Sequence, residues 1–155
     1  GAIIEANIAN VPAGLGDPVY DKLEANLAKA MMSLPATKGI EFGSGFMSAR
    51  MTGFEHNDSF VKKGNKIVTS TNHAGGLLGG ITNGMPLLFR VAFKPTSSVM
   101  KTQDTVDLKG HAAKFNLPKG SRHDPCVAIR AVPIVEAMAS LVLADALMMS
   151  RLNRL

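Results

Sequence analysis

Three short segments of this chain combine residue types that could do chemistry. In Gly120-Ser121-Arg122-His123-Asp124-Pro125-Cys126 a fixed cation, an imidazole and a carboxylate stand at consecutive positions. Taken singly, Asp124 before a proline reads first as a helix cap and Arg122 as its surface partner. Phe93-Lys94-Pro95-Thr96-Ser97-Ser98 joins one cation to three hydroxyls, a set able to hold a phosphate. Composition alone also fits a solvated strand end with turn-forming Ser and Thr. Asn72 to Gly84 contains five glycines. Glycine lets backbone amides approach a phosphate or a flavin edge, but a set of tight turns needs the same residues.

Other chemistry has little support. Cys126 and His123 lack further ligands at metal spacing, and His56, His73 and His111 are scattered, so no metal is expected. A lone cysteine excludes an internal disulfide, fits a reducing cytosol and reads as a small packed residue. Seventeen Lys and Arg against twelve Asp and Glu leave a net charge of +5, which attracts anions. With one Tyr, no Trp and scattered basic residues, a small phosphorylated ligand is expected rather than nucleic acid. The start, Gly1-Ala2-Ile3-Ile4-Glu5, does not read as a secretory signal, and no uncharged apolar run approaches the roughly 18 residues of a membrane span. A soluble protein without a membrane partner is expected.

The elements that must position these segments follow from periodicity. A length of 155 residues suits one domain, residues 1–155. Alternation predicts a half-buried strand over residues 2–11. Asp17-Pro18 predicts a helix start, with Val19, Leu23, Leu27, Ala30, Met31 and Leu34 as its buried stripe to about Ser33. Short strands punctuated by glycine are expected over 38–51, a polar connection over 55–65, a short strand at Ile67–Thr71 and a clearer one at Pro86–Phe93. From Met100 to Lys119 the pattern predicts a loop that is mobile without ligand, with a possible strand at Thr105–Leu108. A helix is expected from about Val132 to Arg151, with Pro133 in its first turn or inside a helix begun near Pro125. Strands that precede and separate helices imply a layered α+β domain.

Together and in order, these segments resemble the chorismate synthase family. The resemblance is carried by Asn72-His73-Ala74-Gly75-Gly76 with Leu78-Gly79-Gly80-Ile81, by Phe93 to Ser98, and by Arg122-His123-Asp124-Pro125-Cys126 running through Arg130-Ala131-Val132-Pro133 to Glu136-Ala137-Met138. Val11 to Gly16 and Lys38 to Phe46 match as well, so the likeness covers almost the whole chain.

The resemblance implies a β-α-β sandwich fold, of which this chain forms half. It implies a lyase that eliminates phosphate from 5-enolpyruvylshikimate 3-phosphate to give chorismate, in the shikimate pathway of aromatic amino-acid biosynthesis. Reduced FMN is required although nothing is oxidised overall. Carried over by position, flavin contacts fall on Pro35, Ala36, Gly79, Lys94, Pro95, Thr96, Ser97, Ser98 and Arg122. Asp124 matches the aspartate near flavin N5. The family often reads Asn-Ala where this chain has Pro35-Ala36, which leaves a backbone contact at Pro35. His73 is expected to order the glycine loop, His123 to support Asp124, and His111 to have no catalytic part. The Met100–Lys119 loop is expected to cover flavin and substrate. The resemblance also brings NADP as an associated nucleotide, a homotetramer and a cytoplasmic location. The family's N-terminal half, with its substrate-holding arginines and two catalytic histidines, is absent, so this chain is expected to be inactive alone. The alternative reading is a non-catalytic module that binds FMN or phosphate.

Overall fold

The computed structural model describes residues 1–152. In chain order its elements are strand β1 (Ala2–Ile8), a 3-10 turn (Val19–Asp21), helix α1 (Leu23–Met32), strand β2 (Thr37–Phe42), a second 3-10 segment (Gly45–Arg50) and short helix α2 (Gly53–His56). There follow β3 (Phe60–Lys63), β4 (Lys66–Thr69), β5 (Leu77–Leu78), β6 (Ile81–Thr82), β7 (Leu87–Phe93), β8 (Gln103–Val106), β9 (Ala112–Phe115) and helix α3 (Ala128–Leu152). The layering is α+β, as the pattern of elements implies.

The period-two pattern of Leu87-Leu88-Phe89-Arg90-Val91-Ala92-Phe93 makes β7 the central strand. Leu87, Phe89, Val91 and Phe93 point into the core, while Leu88, Arg90 and Ala92 are half-buried on the other face. β1 and β2 pair antiparallel on its two sides, in the order β1-β7-β2. Across the outer face Arg90 Nε lies 3.1 Å from Glu41 Oε1, and its Nη2 donates to the Gly43 carbonyl at 2.8 Å. Helices α1 and α3 cover the inner face and complete the core.

Leu23, Leu27 and Met31, four residues apart, are fully buried and form the stripe that α1 needs. The helix begins later than Asp17-Pro18 predicts. Those residues lead into a single 3-10 turn in which Val19 has a φ of 69° and is 73% exposed, outside the stripe. The reason is tertiary: the Leu23 amide donates to the Gly80 carbonyl at 2.9 Å, so a distant loop caps the helix where no local side chain does.

Helix α3 starts at Ala128, before the expected Val132, and contains Pro133. Ala128, Ala131, Val135 and Ala139 recur at helical spacing and are buried. Its opposite face is apolar and exposed, at Ile129, Ile134, Leu141, Met148 and Leu152 among others. By length and composition α3 could cross a membrane; no uncharged run marks it in the sequence, because Glu136 and Asp145 interrupt the apolar residues.

The segment expected to be a loop from Met100 to Lys119 carries an antiparallel hairpin instead, β8 paired with β9. Asp107 builds its turn by accepting the amides of Lys109 at 2.8 Å and His111 at 2.9 Å. Neither strand has a buried face, so no apolar period betrays them.

Candidate functional site at the two ends of the central strand

The seven residues of β7 span roughly 20 Å, and the chemistry-bearing segments lie at its two ends. At the Phe93 end a tight turn carries the chain from α1 into β2. Ala36 sits there with a φ of 67°, and its carbonyl accepts the Lys94 amide at 2.9 Å. The Pro35-Ala36 turn and Lys94, well separated in sequence, are therefore neighbours. Beyond Lys94 and Pro95, both exposed, Thr96 Oγ1 accepts the Ser98 amide at 3.2 Å and the Ser97 carbonyl accepts the Val99 amide at 3.1 Å. In this small turn Lys94 and Ser97 are exposed, and Thr96 and Ser98 are half-buried.

Arg122 and Asp124 stand in the segment that leads into α3. The cavity between the helices is lined by Leu23 and Asn26 from the start of α1 and by Val142, Asp145 and Met149 from the second half of α3. The two helices therefore run in opposite directions, which carries the segment before Ala128 back toward the Phe93 end. Arg122 and His123 are exposed, and Asp124 is half-buried. Asp124 Oδ1 lies 3.2 Å from Arg130 Nη2. Its ion-pair partner is thus an arginine within α3, neither the Arg122 of the surface-pair reading nor the expected His123. Asp124 is also not the residue next to the helix start, because α3 begins four positions later.

Gly79 lies at the other end. The glycine loop packs against the Leu87 terminus of β7, where the Leu88 amide donates to the Gly75 carbonyl at 3.1 Å and the Gly43 amide to the Leu88 carbonyl at 2.9 Å. Buried Thr82 donates to the Pro12 carbonyl at 2.6 Å and accepts the Leu15 amide at 2.8 Å, tying β6 to the Val11–Gly16 segment. Between β5 and β6 the turn at Gly79-Gly80 covers the first turn of α1. Gly79 is exposed with a φ of 60°, and a side chain there would meet open space.

His73 orders the glycine loop, as expected. Its Nδ1 pairs with Ser44 Oγ at 2.8 Å, its carbonyl accepts the Ser44 amide at 2.8 Å, and its ring stacks against His56 with centroids 5.7 Å apart. Sequence reading missed Asp58, which lies in the segment taken for a polar connection. It accepts the His73 amide at 2.8 Å, the Ala74 amide at 2.8 Å and the Thr71 hydroxyl at 2.7 Å. Burial pushes its carboxyl up, but those three donors and the charge of the His73 ring together hold it below the usual aspartate value. Its partners stand 13 to 16 positions away, so no local signal could have found it. In the same loop Asn72 Oδ1 and Asn83 Nδ2 are buried without a partner in the structure, although each amide uses its other atom on the backbone.

An α+β layer with a cationic, hydroxyl-bearing strand end and a carboxylate ahead of its long helix defines a class of domain, and comparison with known proteins supplies the family. A family profile described as chorismate synthase matches residues 1–148, and the chain belongs to that family. It is 59% identical over 155 residues to a chorismate synthase of Protochlamydia amoebophila (strain UWE25), all of this chain against 42% of that protein. It is 58% identical over 145 residues to one from Opitutus terrae, covering 94% of this chain and 39% of that protein. A solved structure described as "Crystal Structure of Chorismate Synthase" superposes with a TM-score of 0.75 at 33% identity, over 96% of this chain and 37% of that one. The chain spans about two-fifths of the length of the curated relatives it matches.

Proposed function

We propose that this chain supplies the flavin-facing part of a chorismate synthase, a lyase acting on 5-enolpyruvylshikimate 3-phosphate, in a cytoplasmic homotetramer. The observation that carries the reading is the bond from the Lys94 amide to the Ala36 carbonyl, which sets the turn at Ala36 beside the Lys94–Ser98 segment. The donor set fits the phosphate of FMN: Lys94 and Arg122 bring charge, Thr96, Ser97 and Ser98 bring hydroxyls, and the turn at Ala36 brings backbone.

In the reaction the C3–O bond breaks with release of inorganic phosphate, a C6 proton is lost, and a second ring double bond forms. The chemistry that reduced FMN supplies is electron density to the ring as the phosphate leaves. The work of this chain is to bind, orient and exclude water. Lys94 and Arg122 neutralise anionic groups, Gly79 allows close backbone approach, and the Asp124 carboxylate, steadied by Arg130, takes or relays a proton. The alternative, a module that binds FMN or phosphate without catalysis, is favoured for the chain by itself, because it spans only two-fifths of its relatives.

The test uses the intact enzyme. Lys94→Ala removes a charge-assisted contact worth about 1.5–3 kcal/mol and is expected to weaken reduced-FMN binding roughly tenfold or more, with little effect on turnover at saturating flavin. Asp124→Asn keeps size and polarity but cannot accept the proton, so single-turnover chorismate formation should fall while flavin affinity holds. Normal turnover by Asp124→Asn would show that its carboxylate takes no part in proton transfer.

A further inference from the structure

Beside the contacts that Ser44 makes with His73, one carboxylate holds the entrance of the glycine loop from outside. Asp58, only 8% exposed, divides its oxygens between successive amides at the loop's entrance: Oδ1 takes the His73 amide together with the Thr71 hydroxyl, and Oδ2 takes the Ala74 amide. The next two residues have no slack. A side chain on Gly75 would fall 2.5 Å from the Gly43 amide nitrogen, and one on Gly76 would fall 2.5 Å from the Pro86 carbonyl. The Gly76 carbonyl in turn accepts the Asn83 amide at 3.1 Å, which closes the loop. An unbroken series of fixed contacts therefore runs from Asp58 through Gly75 and Gly76 to the β5–β6 turn, where Gly79 faces open space. Only a carboxylate serves at position 58, because an asparagine would keep one acceptor and turn an N–H₂ toward a backbone N–H.

We propose that Asp58 is a positioning residue of the glycine loop, fixing the conformation in which the β5–β6 turn presents its backbone to ligand. It touches no ligand itself and acts through the amides of His73 and Ala74. The assignment rests on the reading that this loop meets the flavin, and its test separates the two ideas.

In the intact enzyme, Asp58→Asn is compared with Glu55→Gln. Glu55, three positions earlier, caps only α2, through the Thr52 amide at 2.7 Å and hydroxyl at 2.8 Å. Hydrogen exchange of residues 71–84 and titration with reduced FMN are the readouts, with single-turnover rate at saturating flavin as a third. Asp58→Asn should speed exchange in 71–84 and raise the FMN dissociation constant, each by roughly tenfold or more, since a charged double acceptor is lost. The rate at saturating flavin should stay near that of wild type, and Glu55→Gln should leave all three readouts unchanged. If Asp58→Asn does not accumulate, Thr71→Val removes one of the three contacts and should move exchange and affinity together by less. Unchanged exchange in 71–84 overturns the assignment. So does faster exchange with unchanged FMN affinity, which would leave Asp58 a local cap. A wild type that binds no reduced FMN sinks the flavin reading instead, and exchange alone then decides the role of Asp58.

Discussion

At the scale of single residues, two glycines of one loop serve different ends. Gly75 has a φ of 69° and is walled in by Gly43 and the Leu88 carbonyl, whereas Gly79 has a φ of 60° and nothing within 4 Å of where a side chain would begin. Gly79→Ala is therefore expected to cost only the left-handed backbone penalty, about 1–2 kcal/mol, while Gly75→Ala must also displace backbone and lose far more. Thermal melts of the two variants check this. Asp58 sets a second expectation. Its folded-state value is lowered from the ordinary 3.8, so the stability it contributes is present above that value and is lost as pH falls through the lower folded one. Asp58→Asn should thus flatten the loss of stability below about pH 4, measured by circular dichroism, and should already be less stable at neutral pH. The Lys94–Ser98 group could be read from sequence because its members are consecutive. Asp58 could not, because nothing but the folded chain brings it to His73 and Ala74.

At the scale of elements, β7 and the stripe of α1 were legible because burial on one face imposes a period, of two or of about 3.6 residues. The start of α1 was not, since its first amide is capped by Gly80, and the β8–β9 hairpin was not, since it buries neither face. Leu27, fully buried at the middle of α1, carries a direct test of the packing. Leu27→Ala should destabilise the domain by about 2–5 kcal/mol in urea unfolding, and a loss well below that would mean that α1 is not seated on the sheet.

At the scale of the whole molecule, the exposed apolar face of α3 stands out against a chain that spans two-fifths of its relatives' length. Studied alone, the chain should bind a hydrophobic dye and associate as its concentration rises, and Leu141→Lys should reduce both, as dye fluorescence and sedimentation velocity will show. The order of strands has a further consequence, in time. β1 and β2 never pair with each other; each waits for β7, and Ala2 meets Phe93 from about ninety residues away. Closing so long a loop precedes any gain from pairing, so the sheet should assemble slowly and late. On a ribosome adding roughly 5–20 residues per second, β1 stays an open strand edge for several seconds, exposed to whatever chaperone or misfolded neighbour reaches it first.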